Sequence, residues 1–319
     1  MRRFAARAHA KVNLHLGVGD RRADGYHDLV TVFQSLSLSD TVRLDVDDDD
    51  RVTSGSIVAG LTVAGLDAAS VPTDSSNLAW RAVDKLVDYY RANHALSDAP
   101  RVAIHINKGI PTAGGMAGGS ADAAAALVAA HAMFSGTCPA LPMDTLSEIA
   151  AGLGSDVPFT LRGGTMLGTG RGEQLTPMLS RGTYHWALAF FTEGLSTPKV
   201  FHQLDFLRSG GSTNVPPSLD TGELARALTT GDPRQLAAAM TNDLQIPALT
   251  LRHDIGYVRT AGMNAGALAS MVSGSGPTVA FLCSSELHAR DVLDDLLADG
   301  SAYSGTVAHG PAKGAHLIY

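Results

Sequence analysis

Four glycines fall within six consecutive positions, Gly114, Gly115, Gly118 and Gly119, between an apolar run (VAIHI from Val102) and an alanine-rich stretch (SADAAAALVAAHAMF from Ser120). Glycine loses more conformational freedom on folding than any other residue, so this density needs a reason beyond flexibility. Without Cβ atoms the backbone can close on a ligand, and the first turn of the following helix offers unpaired N–H groups at its positive end. Strand, glycine loop and helix start together make a cradle for an anion such as phosphate. Ser120 adds a hydroxyl at the end of the loop, in reach of a phosphate oxygen or a magnesium ion. A flexible turn into a helix accounts for one glycine pair, not for two pairs so closely spaced.

Absences narrow the kind of phosphate motif. The chain has no Gly-Lys dipeptide, which excludes GxxxxGK[ST], and no GxGxxG, which removes the main dinucleotide and protein-kinase patterns. GxSxG is missing as well, so a hydrolase nucleophile elbow has no support. Composition removes further classes. With 24 Lys and Arg against 31 Asp and Glu the formal charge is -7, which disfavours attraction to a nucleic-acid backbone. Cys138 and Cys283 stand far apart with no CxxC or Cys/His spacing, so neither a disulfide framework nor a zinc site is indicated and a reducing compartment fits. No run approaches the about eighteen uninterrupted apolar residues of a membrane span, and the arginines of the opening MRRFAARAHAKVNL lead into no apolar signal region. The expectation is a cytoplasmic protein that binds neither nucleic acid nor membrane.

From Phe4 to Val18 every even position is apolar, while Arg3, Arg7, His9, Lys11, Asn13 and His15 take odd ones. This alternation predicts one long strand with a single buried face, and it puts Lys11, Asn13 and His15 on an open side where a ligand can meet them. LVTVFQSLSL from Leu29 and TVRLDV from Thr41 predict two further strands with short connections, an antiparallel layer that ends in a solvated turn at Asp47 to Asp50. Ser75 and Ser76 can cap a helix beginning near Asn77, and Asp144 opens another that stops at Gly152. Beyond Gly163 the pattern predicts a glycine-punctuated hairpin (GGTMLGTGRG), a buried strand (WALAFF), short helices, two strands around SGSGPTVAFL and a helix from Glu286. The fold class is α+β in two domains: residues 1–165 for nucleotide binding and catalysis, and residues 166–319 on the substrate side, with the last strand able to return to the first. Ser209 to Thr221, rich in Gly, Ser and Pro, reads as a mobile surface loop.

Three segments, AKVNLHLGV near the start, PTAGGMAGGSADAA in the middle and SGSGPTVAFL near the end, resemble the GHMP kinases, a family named for galacto-, homoserine, mevalonate and phosphomevalonate kinases. The likeness follows the family's order over nearly the whole chain, and the middle segment is the most specific. It implies a two-domain GHMP kinase fold, with a β-rich and helical nucleotide-binding part followed by an α+β part, and phosphoryl transfer from ATP, with Mg2+, to a small-molecule alcohol. GDRRADGYHDLVTVFQ from Gly19, GLGSDVPF from Gly152 and LSTPKVF from Leu195 point to a branch of the family whose acceptor carries a cytidine diphosphate. Two positions depart from the pattern. Ala113 stands where such loops often have glycine, and Asp122 replaces an Asn or Ser, with a charge that repels phosphate unless it faces magnesium or solvent.

By this resemblance Asp156 is the catalytic base and Lys11 lies beside it near the acceptor hydroxyl. A carboxylate can accept the proton as the oxygen attacks in line, and an ammonium stabilises the developing charge. Pro111, Thr112, Ala113, Gly114, Gly115, Met116, Ala117, Gly118, Gly119, Ser120 and Ala121 form the ATP loop, with Asn77 and Lys108 at the adenine pocket and the loop entry. Tyr26 and Phe201 stack on the cytosine while His27 bonds its polar edge. Asn13 and Thr197 meet the rest of the acceptor, and Pro198 shapes the turn. No dedicated metal-ligating side chains are implied, since magnesium rides mainly on the phosphates. Each residue also has a plainer explanation: a turn or cap for Asp156, a strand lysine with its head in solvent for Lys11, core rings for Tyr26 and Phe201, a helix start for Asn77 and a solvated lysine for Lys108. A homoserine- or mevalonate-type kinase and a nucleotide-sensing relative without catalysis remain as alternatives. The GYH segment argues against the first and retention of both Lys11 and Asp156 against the second. Monomer and homodimer are both compatible with the sequence.

Overall fold

The alternating amino-terminal segment forms β1 (Arg2–Arg21), which pairs antiparallel along its length with β2 (His27–Val52). The structure, a computed structural model, describes residues 2–112, 114–210 and 216–318. After these strands come β3 (Val58–Gly65), α1 (Leu78–Asn93), β4 (Ala99–Lys108), α2 (Gly118–Met133), α3 (Met143–Ala151), α4 (Val157–Arg162), β5 (Thr165–Thr169) and β6 (Gln174–Pro177). The second half contains β7 (Tyr184–Phe190), α5 (Thr197–Ser209), α6 (Gly222–Thr230), α7 (Pro233–Ala239), β8 (Thr241–Asn242), α8 (Gln245–Leu251), α9 (His253–Asn264), β9 (Ala269–Val272), β10 (Val279–Cys283), α10 (Glu286–Ala298), β11 (Ser304–Gly310) and β12 (His316–Ile318). One sheet has the order β12-β1-β2-β4-β3, extended by β5 on β2, β6 on β5 and β8 on β1; the other has the order β11-β7-β10-β9. The architecture is α+β. The first sheet takes in β5, β6, β8 and β12, so its strands extend well past residue 165.

The even face of β1 is buried as its pattern demands, with Ala6, Ala8, Ala10, Val12 and Leu14 fully covered by α2 and its neighbours. α1 turns Ala82, Val83, Leu86, Val87 and Tyr90 inward at helical spacing. Each such Leu or Val contributes on the order of 1.5–3 kcal/mol by leaving water. α2 is buried nearly all round, and its run of alanines lets it lie between the sheet and α1; a larger side chain at Ala124 or Ala125 would overpack that space at a cost of about 1–3 kcal/mol. In the second core, α9 approaches the sheet so closely that a Cβ on Gly262 would lie 2.2 Å from the Phe281 ring.

Several expectations are corrected by long-range contacts. β2 runs unbroken where two strands were expected, because the polar residues that look like a connection have distant partners. Asp40 is fully buried and accepts the backbone N–H of Gly109 (2.7 Å) and Ile110 (2.8 Å), and Ser37 Oγ accepts that of His309 (3.0 Å). Asp47 to Asp50 continue the strand at its exposed end, across a register shift, with Asp48 paired to Arg2 at 2.6 Å. The odd face of β1 is not open. Lys11, Asn13 and His15 are only 4%, 2% and 2% exposed, since β8 lies beside His15 and Leu16 and the Ser273–Gly276 turn covers Lys11. The helix cap is Asn77 rather than Ser75 or Ser76: its Oδ1 accepts the Ala79 N–H at 2.8 Å. Of the Ser209 to Thr221 segment, the described Ser218 is anchored, its carbonyl accepting from His15 Nε2 (2.7 Å) and its N–H donating to Asp243 (3.0 Å).

Candidate active site

The glycine loop leaves β4 and enters α2 at Ala117, whose φ of 62° is left-handed, a strained conformation for a residue with a Cβ and one found often at ligand clamps. The first intrahelical bond runs from Ala121 N–H to the Ala117 carbonyl, so the preceding amides lack helical partners. The loop borders a cavity of about 570 Å³ lined by Pro111, Thr112, the residues from Gly114 to Ser120, and the Ser70–Pro72 and Ser76–Leu78 stretches. Ala121 lies buried beneath it, and Ala113 falls outside the described residues. Close approach explains the glycines in part. Gly115 has φ 74°, and a Cβ there would lie 2.2 Å from the Ser273 carbonyl oxygen. Ser273 Oγ in turn donates to the Gly115 carbonyl at 3.0 Å.

Beside this loop stands Lys11, whose backbone N–H donates to the Met116 carbonyl at 3.2 Å. Its Nζ donates to Asn13 Oδ1 at 2.6 Å, Asn13 Nδ2 donates to Thr31 Oγ1 at 2.8 Å, and Thr31 donates to the His15 carbonyl at 2.8 Å. The Asn13 amide thus has a protein partner at each end and holds the Lys11 ammonium. Lys11 Nζ lies 4.0 Å from Asp156 Oδ2. Burial pushes the Lys11 ammonium below its usual range, and the Asp156 charge opposes that shift. Asp156 occupies the N-cap position of α4 yet makes no side-chain capping bond, and its carboxylate is one-third exposed.

Ser155 carries the site into a second cavity, of about 690 Å³, where Tyr26, His27, Thr197, Pro198 and Phe201 meet. His27 and Phe201 rings lie 5.3 Å apart at 32°, and the Arg171 guanidinium sits 5.4 Å over the half-exposed Tyr26 ring. Thr197 begins α5 and Pro198 occupies its first turn, a position where proline's missing N–H costs nothing. Thr197 Oγ1 shares a 2.8 Å hydrogen bond with Ser275 Oγ. The turn between β9 and β10 therefore touches both cavities, Ser273 on the glycine loop and Ser275 on the acceptor side, with Gly274 against Lys11.

Comparison with known proteins gives the family. The profile of GHMP kinases N terminal domains matches residues 77–164, and that of GHMP kinases C terminal regions matches residues 224–302. The chain belongs to the GHMP kinase family. A 4-diphosphocytidyl-2-C-methyl-D-erythritol kinase of Corynebacterium efficiens is 52% identical over 322 residues, covering 99% of this chain and 98% of the relative. One of the same name from Nocardia farcinica is 53% identical over 313 residues, covering 98% and 95%. Among solved structures, a 4-(cytidine 5'-diphospho)-2C-methyl-D-erythritol kinase matches with a TM-score of 0.69 at 31% identity, over 96% of this chain and 99% of that one. A homoserine kinase from Cytophaga hutchinsonii gives a TM-score of 0.73 at 16% identity over 100% and 98%, a likeness of fold alone.

Behind the loop of this GHMP kinase lies a buried ionic group. Lys108 Nζ bonds Asp40 and, at 2.7 Å, Asp122 Oδ2, all three side chains being nearly inaccessible. Burial alone would lower Lys108, but its two carboxylates outweigh that and hold the ammonium above its usual range. Two acids sharing one lysine cannot both ionise cheaply: burial, with the Asp40 charge adding to it, pushes Asp122 up to about 8 against the pull of Lys108. Asp122 thus faces the lysine rather than solvent. Asn77 and Lys108 both line the nucleotide-sized cavity, but Asn77 caps α1 and also donates to the Pro72 carbonyl at 2.7 Å, while Lys108 is held by its acids. Sequence reasoning missed Asp40, Arg171 and Asp205; Ser273 and Ser275 belong to the SGSGPTVAFL segment, which reads either as a support for the phosphate loop or as a hairpin, and Ser273 does bond that loop. Asp205 was in reach, since it follows Phe201 by four residues on a helix and shares its face. Asp40 carried no local signal.

Proposed function

We propose that the chain transfers the γ-phosphoryl group of ATP to the 2-hydroxyl of 4-diphosphocytidyl-2-C-methyl-D-erythritol (CDP-methylerythritol), in non-mevalonate isoprenoid precursor synthesis in the cytoplasm. The observation that carries this reading is the Lys11–Asp156 pair, 4.0 Å apart, with Lys11 bonded through its backbone to Met116 of the glycine-lined cavity and Asp156 next in sequence to Ser155 of the aromatic one. The glycine loop and the start of α2 hold the triphosphate through backbone N–H groups. The loop's cavity fits that role: it is lined by Gly114, Gly115, Gly118 and Gly119, which carry no side chain, and α2 begins there without a side-chain cap. Magnesium accompanies ATP and neutralises charge on its phosphates; the Ser120 hydroxyl is the donor this chain offers it.

Tyr26 and Phe201 bracket the cytosine and His27 bonds its edge, while Thr197 and Pro198 shape the wall next to them. Asp156 takes the hydroxyl proton as the oxygen attacks, a role worth about a hundred- to ten-thousandfold in rate. Lys11, held by Asn13, places a desolvated positive charge beside the reacting oxygens, where it acts more strongly than in water. Among the described residues no helix is long and apolar enough to cross a membrane.

The test is ATP-dependent phosphorylation of CDP-methylerythritol compared with homoserine and mevalonate. Only the first should turn over, and Asp156→Asn should retain ATP binding while losing about a thousandfold or more in kcat. Turnover of mevalonate or homoserine in preference to the cytidylyl compound would overturn the assignment.

A further inference from the structure

His27 is held at its far side. Its Nε2 lies 2.8 Å from Asp205 Oδ1, and its side chain is 5% exposed, so ring flips and alternative partners are restricted. Asp205 lies two turns beyond Thr197 and one turn beyond Phe201 on α5, and all three line the acceptor cavity. Arg21 approaches the other carboxylate oxygen at 3.8 Å.

We propose that Asp205 is a positioning residue that fixes the hydrogen-bonding polarity of His27, and that this lets the acceptor cavity select cytosine over uracil. The inference rests on the cytidylyl acceptor assigned above. An ionised carboxylate only accepts hydrogen bonds, so Nε2 carries the hydrogen. In the neutral ring Nδ1 is then the remaining polar atom, and it is an acceptor. Cytosine presents an amino group, N4–H2, which donates to such an acceptor; uracil presents O4 at the same place, which cannot. A uracil base would set two acceptors against each other in a partly desolvated site, and sites of this kind reject the wrong partner more sharply than apolar pockets do. Phe201 and Tyr26 stack on either base and contribute little to the choice.

The experiment measures kcat and KM for CDP-methylerythritol and its uridine counterpart with wild type, Asp205→Asn and Asp205→Ala. Asparagine can accept from or donate to Nε2, so it frees both tautomers. The ratio of kcat/KM for cytidine over uridine should fall by about tenfold or more in both variants. KM for the cytidine compound should rise while KM for ATP stays within about twofold, a split that general damage to the fold would not give. Titration of the three proteins with free CDP and UDP reads the same preference without turnover. An unchanged base preference in variants that still melt cooperatively, with wild type active on the cytidine compound, overturns the role of Asp205 alone. If wild type turns over neither compound, the acceptor assignment falls and the inference with it.

Discussion

The donor and acceptor cavities are similar in size, about 570 and 690 Å³, and are built from different material. The donor side is largely backbone: a glycine loop pressed against β1 and the β9–β10 turn, and seated on a buried group of two acids and a lysine. The acceptor side consists of side chains, from a half-exposed turn at Tyr26 and one face of α5. Changes of side-chain chemistry should therefore act mainly on the acceptor, and changes of backbone support mainly on the donor. On the proposed function, phosphate capture is a property of the folded chain and base choice a property of a few replaceable groups.

Three substitutions probe that contrast. Asp40→Ala should have the largest effect, a loss of about 3–5 kcal/mol, because it strips a buried ammonium of one partner and two loop-entry amides of their acceptor. Denaturant unfolding measures the loss, and residual folded protein should show a raised KM for ATP with the acceptor's KM little changed. A variant as stable as wild type would remove the foundation assigned to the donor side. Phe201→Ala should act in the opposite sense, raising KM for CDP-methylerythritol by the equivalent of about 1–3 kcal/mol while ATP binding barely moves, with some loss of stability because Phe201 packs against the second core; equal effects on both substrates would erase the distinction.

Asp122→Asn should be the mildest, within about 1 kcal/mol at neutral pH, since the native carboxyl there is held up to about 8 and an amide resembles its protonated form. The sign of its pH dependence follows from linkage. A carboxyl raised from the usual 3.8 to about 8 on folding contributes stability that is fully present at low pH and is lost as pH climbs through about 8. The asparagine variant does not titrate, so its melting temperature relative to wild type should rise between about pH 5 and about pH 9. A difference that stays flat over that range would mean Asp122 is ionised throughout.

What the sequence made legible follows from the range of the interactions involved. The alternation of Ala6, Ala8, Ala10 and Val12, the alanine helix and the glycine cradle are local patterns, and each appears where expected. Lys11 and Asp156, distant in sequence, are brought within 4.0 Å, and Tyr26, His27 and Phe201 share one cavity. The misreadings involve polar residues with distant partners. Ser37 and Asp40 read as a break in β2 because nothing nearby in sequence announces His309, Gly109 or Lys108. Lys11, Asn13 and His15 read as an open face because the segments that cover them lie more than two hundred residues away. Asn77 is the helix start of its plainer reading and also lines the donor cavity; Lys108 lines that cavity too, but it is not the solvated lysine of its plainer reading, since its ammonium is buried between Asp40 and Asp122.

The unbroken course of β2 has a consequence for how such an enzyme can diversify. His27 opens the strand at the aromatic cavity, and Asp40, farther along it, anchors the entry to the glycine loop. Between them the β1–β2 ladder shifts register where Ser35 to Ser39 oppose Lys11 to His9, and again where Val32 and Phe33 oppose His15 and Asn13. Their separation is therefore set by those irregularities as well as by β-strand rise, about 3.3 Å per residue. An acceptor of different length can be met there as readily as by resculpting α5.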